Sequence, residues 1–322
     1  MKVLITGANG YLGANLVDFF LQQKAEVYGL VRSLPPDSAT WQSQFKQLVV
    51  GDIRQTDTVD QLTQLEPDYI IHTVSLDHNL SQTADSGTVL AVNVQPTLEL
   101  LNLFTAKGLK KFIYFSTQQV YGRLQPVEIA ETYPTQPANI YGLTHLMSEN
   151  ICNYFNTTTK TTCINIRLSN SIGKPVFAGN NCWWLVVNDF CRSARQNQSI
   201  KILSDGTPQR DFITIQDVCA AVQVLLQTAP EQLVFNTFNL GKGKTYTIAE
   251  VAQTVARIYH DRYGQELPLI TASNEPFCYQ PPANFDRFYY NTQRLNQLGF
   301  YCQQSLEDGI QDVFNYLDSS GA

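Results

Sequence analysis

Short β-branched runs alternate with longer amphipathic stretches over roughly the first half of the chain. Strand-like runs fall at Val3–Thr6, Glu26–Val31, Gln47–Val50, Tyr69–Thr73, Phe112–Ser116 and Cys163–Leu168. Helix-like stretches lie near Leu12–Gln22, Asp57–Leu65, Thr88–Ala106 and Leu143–Tyr154. Leu90, Val94, Leu98 and Leu101 recur at helical spacing, which places that stripe against a sheet. The repeated βα alternation predicts an α/β fold, a doubly wound parallel sheet with right-handed crossovers. Beyond about Gly173 the alternation loosens into Pro-, Gly- and Asn-rich loops such as Gly173–Asn181 and Pro276–Asn284. The reading is a sheet domain over 1–172, with 205–240 returning to it. A smaller, mostly helical lobe is built from 173–204 and 241–322.

Composition narrows the function. The 322 residues are 43% hydrophobic and 16% charged, ordinary for a globular protein. A net charge of −6 leaves no basic surplus to replace phosphate counterions, so nucleic acid is not an expected partner. No stretch approaches the roughly 18–20 apolar residues of a membrane span. The chain starts directly on a strand, so the expectation is no signal peptide and a cytoplasmic location. The seven cysteines show neither CxxC nor CxxxC spacing, and neither a metal site nor a disulfide framework is expected.

The segment Gly7-Ala8-Asn9-Gly10-Tyr11-Leu12-Gly13 follows the first strand and opens a helix. Glycines there let the backbone approach a pyrophosphate, whose charge meets the unpaired N–H groups of the helix N-terminus. The bland alternative is a tight turn with no ligand. The second strand ends at Arg32 without the carboxylate that would hold an NAD ribose. Arg32 reads either as a partner for a 2′-phosphate, favouring NADP over NAD, or as a solvated arginine. Asp37 stands too far along to replace the carboxylate. After the third strand, Asp52 can accept from an adenine amino group while Ile53 covers the ring.

With these motifs stand Tyr141-Gly142-Leu143-Thr144-His145, Phe115–Gly122, Ile166–Asn170, Asp205–Ile213 and Asn239-Leu240-Gly241. Together they resemble the extended short-chain dehydrogenase/reductases, in the nucleotide-sugar epimerase, dehydratase and reductase group. The resemblance covers nearly the whole chain and is specific for the group, not for the sugar. It implies that Thr117 hydrogen-bonds the sugar oxygen and that Tyr141 exchanges a proton with it beside the nicotinamide. It also implies that Arg210 and Arg287 hold the nucleotide diphosphate, that Asn170 contacts substrate, and that His78 lies near the sugar. A homodimer is the group's habit. His72 reads as a buried strand-end residue. Trp183, Trp184, Phe277, Tyr279, Phe288, Tyr289 and Tyr290 read as base-stacking residues or as core of the smaller lobe.

Two departures from the group's pattern shape the expected chemistry. Dehydratases of the group carry Asp and Glu where this chain has Gln118 and Gln119, and amides cannot serve as general acid or base. Those glutamines are left to bind substrate or to cap a strand end. His145 replaces a lysine whose charge lowers the tyrosine pKa and whose ammonium binds the nicotinamide ribose. At i and i+4 it shares a helix face with Tyr141 but is mostly neutral at pH 7. A neutral neighbour suits a tyrosine that donates a proton better than one that must become a base. The leading expectation is therefore an NADP-dependent reductase of a nucleotide-linked 4-keto-6-deoxy sugar, with His145 as cofactor anchor. The alternatives are a nucleotide-sugar epimerase and a non-catalytic NADP(H)-binding protein.

Overall fold

A computed structural model describes residues 1–36, 38–280 and 286–320, so Asp37 and Phe285 lie outside the described residues. Seven parallel strands form the main sheet. They are β1 (Lys2–Thr6), β2 (Glu26–Val31), β3 (Gln47–Val50), β4 (Tyr69–His72), β5 (Lys111–Thr117), β6 (Thr162–Leu168) and β7 (Thr237–Leu240). Their order is β7-β6-β5-β4-β1-β2-β3. The first six coincide with the predicted runs to within a residue or so. The strands read as unbroken apolar runs because helices cover both faces of the sheet. Helices Tyr11–Gln22 and Ile215–Gln227 bury one face around Leu16, Phe20, Val222 and Leu225. Gln95–Thr105 and Ile140–Thr158 bury the other around Leu101, Phe104, Cys152 and Phe155. The winding direction reverses between β1 and β4, which opens a crevice at their C-terminal ends.

One expectation needs correction. The stretch 88–106 is two helices, Ser86–Asn93 and Gln95–Thr105, with Pro96 in the first turn of the second. Proline has no N–H to complete a continuous helix but fits a first turn. The break turns the supposed inner stripe outward: Leu90 is 38% and Leu98 41% exposed, and Leu101 alone of the four is buried. Val89, Thr97, Leu100, Leu101 and Phe104 form the inward face instead.

Helices Val186–Asn197, Ile248–Tyr263 and Leu306–Ser320 pack around a core of their own that includes Phe190, Val255 and Phe314. A three-stranded sheet of Asn170–Ile172, Gln209–Thr214 and Thr245–Thr247 joins that lobe to the main sheet. The chain rejoins the large core from Ile215 onward, through the Ile215–Gln227 helix and β7, and Leu295 and Phe300 join it as well. Among the described residues no helix is long and apolar enough to cross a membrane. None of their His, Cys, Asp or Glu side chains form a group of three or more that could hold a metal ion.

Candidate active site

The crevice between β1 and β4 is a cavity of about 410 Å³. Gly7, Asn9, Gly10, Tyr11, Leu12 and Gly13 form its floor, with Arg32, Asp52 and Ile53 at one end. The glycines are dictated by shape. Gly7 has φ +68°, and a Cβ on Gly13 would stand 2.1 Å from the Gly7 carbonyl oxygen. Gly10 caps the Tyr11–Gln22 helix with no side chain on its first N–H groups. Asn9 Nδ2 donates to Ser33 O at 2.7 Å, and the Tyr11 hydroxyl donates to Gly173 O at 3.0 Å, so both side chains fix the walls. A bare helix N-terminus facing a side-chain-free turn fits a pyrophosphate.

At the end of the cavity lined by Arg32, Asp52 and Ile53 stands Arg54, to which the sequence assigned no role. Its Nε and Nη2 donate to the two Asp52 oxygens at 2.9 and 2.6 Å. This pairing, helped by the nearby charge of Arg32, holds the Asp52 carboxyl down at about 2. Arg32 is exposed, lines the same cavity and makes no ion pair among the described residues.

Thr117 ends β5 and caps a tight turn, Gln118–Tyr121, by accepting from the Gln119 N–H at 3.2 Å. Tyr141 stands in the first turn of the Ile140–Thr158 helix. Asn139 caps that helix by accepting from the Gly142 N–H at 2.8 Å, and its Nδ2 donates to Gln119 Oε1 at 2.8 Å. A Cβ on Gly142 would meet the Gln119 carbonyl oxygen at 2.6 Å. The turn bearing Thr117 and the helix start bearing Tyr141 are thus pressed together. A buried network backs them. Ser116 Oγ donates to Glu149 Oε1 at 2.5 Å, and Arg167 Nη2 donates to Glu149 Oε2 at 2.7 Å. Arg167 also donates through Nη1 to the Tyr121 hydroxyl at 3.0 Å.

The Tyr141 ring meets the edge of His145 at 4.5 Å between centroids and that of His78 at 6.0 Å. Burial first, then the charge of Asp77, pushes the Tyr141 phenol up to about 12, with a hydrogen bond to Thr117 working the other way. His145 is 3% exposed. Burial pulls its imidazole down to about 4, with the Phe115 carbonyl opposing. The ring is therefore neutral at physiological pH, and it does not line the cofactor cavity. Ser75, whose Oγ lies 3.2 Å from His145 Nε2, stands between them and does line it.

On the other side of Tyr141 opens a larger cavity of about 990 Å³. His78, Gln118, Gln119, Asn170 and Arg210 line it, together with Arg123 and Lys201. Asp77 lines the first cavity and His78 the second; Tyr141 and Thr117 line neither, and the Tyr141 ring packs behind that seam against His78. Among the aromatic residues singled out, Trp184 and Phe288 reach the larger cavity, whereas Tyr290 is buried and Trp183 packs on Tyr316. Arg287 lies elsewhere. Its guanidinium donates to Glu250 Oε1 at 2.6 Å and to Thr245 O at 2.7 Å, and it lines a separate pocket with Lys244 and Arg257. His72 is the buried strand-end residue expected, its Nδ1 2.7 Å from Thr6 Oγ1.

A parallel sheet wound as above, a glycine cradle at its switch point and a Thr–Tyr pair behind the seam define an enzyme of the extended short-chain dehydrogenase/reductase kind. Residues 3–241 match the sequence model of the NAD dependent epimerase/dehydratase family, and the chain belongs to that family. A dTDP-L-rhamnose 4-epimerase from Burkholderia thailandensis is 25% identical, over 98% of this chain and 94% of the relative. A dTDP-glucose 4,6-dehydratase from Neisseria gonorrhoeae is 23% identical, over 99% of this chain and 96% of its own length. The fold matches a UDP-glucuronic acid 4-epimerase from Bacillus cereus, solved with NAD. That likeness has a TM-score of 0.81 at 21% identity, over 99% of this chain and 97% of the other.

Proposed function

We propose that this enzyme reduces a nucleotide-linked 4-keto-6-deoxy sugar with NADPH, Tyr141 donating the proton. The observation that carries this reading is the setting of Tyr141, edge-on against the buried and uncharged His145 ring, where burial pushes the phenol up to about 12. A phenol of that kind is present as a donor across the whole physiological range and is scarce as a base. The nicotinamide, when bound, supplies the hydride. Tyr141 O–H then donates to the sugar oxygen as charge develops on it, and the Thr117 hydroxyl hydrogen-bonds the same oxygen. Arg210, Arg123 and Lys201 outnumber Asp189 and Asp286 along the larger cavity, and their cations suit a diphosphate. Arg32, aimed into the cofactor cavity beside the Arg54–Asp52 pair, suits a 2′-phosphate. Gln118 and Gln119 provide no acid or base for expelling water, which argues against dehydration.

A second reading is epimerisation through transient oxidation. The Burkholderia thailandensis relative is named for that reaction, and the Bacillus cereus neighbour was solved with NAD. Incubating the enzyme with 4-keto-6-deoxy sugar nucleotides and NADPH separates the two. The reductase reading requires one NADPH consumed per product. A product altered at one stereocentre with no net cofactor consumption selects the epimerase.

A homodimer also belongs to this proposal. Leu143, Met147 and Tyr154 lie along one exposed side of the Ile140–Thr158 helix, next to the helices that expose Leu90 and Leu98. Apolar side chains on neighbouring helices suit a second copy of the same face. Sedimentation of a Leu98→Glu, Met147→Glu protein at half the wild-type mass would bear this out.

A further inference from the structure

We propose that Ser75 receives a hydroxyl of the nicotinamide ribose, and that the buried pair Tyr114–His145 holds it in place to do so. The inference rests on the reading that the cavity between β1 and β4 takes a nicotinamide dinucleotide.

The argument is an accounting of donors and acceptors. A serine hydroxyl has one proton to give and two acceptor positions. Ser75 Oγ donates to Leu76 O at 2.8 Å, which uses its proton. In the proposed arrangement the imidazole is the donor in the contact between Ser75 Oγ and His145 Nε2 at 3.2 Å, the tautomer that leaves the bond to Leu76 O intact. A neutral imidazole carries one proton, so Nδ1 is bare and accepts from the Tyr114 hydroxyl at 2.7 Å. The chain of donors runs Tyr114 O–H to His145 Nδ1, His145 Nε2–H to Ser75 Oγ, and Ser75 O–H to Leu76 O. Tyr114 is 1% and His145 3% exposed, so no water competes inside this chain.

One acceptor position on Ser75 Oγ remains, and Ser75, unlike His145, lines the cofactor cavity. A ribose hydroxyl donating to that position completes the serine without disturbing its other two bonds. The neutral imidazole thus acts at one remove. It stiffens a serine at the cavity wall, and the serine takes up the task that a buried ammonium would otherwise perform with its own charge. Tyr114 is a positioning residue in this arrangement, since it fixes which ring nitrogen of His145 bears the proton.

The test is a set of fluorescence titrations with NADPH and NADH, and displacement titrations with adenosine 5′-diphosphate, which lacks the nicotinamide riboside. Ser75→Ala is expected to weaken the intact dinucleotide about five- to tenfold, the size of one neutral hydrogen bond, and to leave the diphosphate unchanged. Tyr114→Phe is expected to weaken the dinucleotide in the same selective way. In the ¹⁵N spectrum of histidine-labelled wild type, His145 should show a protonated Nε2 and a bare Nδ1 at neutral pH. Unchanged dinucleotide affinity in Ser75→Ala, equal weakening of both ligands, or a proton on His145 Nδ1 would each overturn the proposal. Wild-type protein that binds neither dinucleotide would overturn the reading beneath it as well.

Discussion

The two ends of the cofactor cleft are built in opposite ways. At the adenosine end two guanidiniums, Arg32 and Arg54, stand around one carboxylate at the protein surface. At the reacting end no cation of the described residues stands against Tyr141: the nearby charge is that of Asp77, the His145 ring it meets edge-on is neutral, and hydroxyls connect that ring to Ser75 and Tyr114. Charge placed at the far end strengthens binding without touching the proton affinity of the reacting group. Leaving a cation out of the near end keeps the Tyr141 phenol protonated, because the hydrogen bond to Thr117 alone does not offset burial and the charge of Asp77. The difference teaches that affinity and direction of chemistry are set by separate parts of one cleft.

The strongest way to break the comparison is at the proton donor. Tyr141→Phe should lower kcat for ketone reduction by about 10²–10⁴, the usual worth of a positioned acid, while NADPH affinity changes little. Near wild-type turnover in that protein would remove Tyr141 from the chemistry. Next is the buried network behind the reacting end. Glu149→Leu strands the Arg167 guanidinium in the interior, and breaking a buried pair in this way costs about 3–5 kcal/mol, measurable as a lower midpoint in urea. Arg32→Ala tests the charged end. Losing a charge-assisted hydrogen bond of about 1.5–3 kcal/mol should weaken NADPH roughly ten- to a hundredfold and leave NADH unaffected. Equal affinities for both dinucleotides in wild type would show that Arg32 reads no phosphate.

The charged end was the more legible in sequence. Gly7, Gly10 and Gly13 sit directly after an apolar strand, and their meaning is local: a turn, a close backbone approach and a helix start. Arg32 was found by the same local logic, from its place at the end of β2. Arg54 was not, because its pairing with Asp52 depends on how the chain leaves β3. At the reacting end, Thr117, Tyr141 and His145 were named, but the partners that hold the His145 ring were not. Helical spacing put it on the same face as Tyr141, correctly, yet spacing says nothing of depth. Ser75 and Tyr114 come from β4's exit and from β5, 70 and 31 residues away in sequence, and only the sheet order brings them to the imidazole. The pairing of Arg287 with Glu250, 37 residues away, was illegible for a related reason. The stripe through Leu90 and Leu98 was inverted by the helix break at Pro96, a local event whose three-dimensional effect periodicity does not register.

The subtlest prediction puts a cation beside Tyr141, where the wild type has a neutral imidazole. In His145→Lys the ammonium would stand beside the Tyr141 ring, with the Ser75 and Tyr114 oxygens available as acceptors. A cation within about 4–6 Å lowers a phenol by roughly one to three units. In wild type the phenol is raised to about 12, so the phenolate fraction, and with it any alcohol oxidation, should rise about tenfold per pH unit through the neutral range. Ketone reduction draws on the neutral phenol and should be flat over the same range. The lysine variant should gain about tenfold in the oxidative direction at pH 8, the least effect a one-unit shift produces, while reduction stays nearly constant. Steady-state rates in both directions from pH 6 to 10 provide the check. An oxidative rate that is already flat with pH in wild type would mean that Tyr141 ionises readily without a cation. The contrast between the two ends of the cleft would then have no bearing on the direction of the reaction.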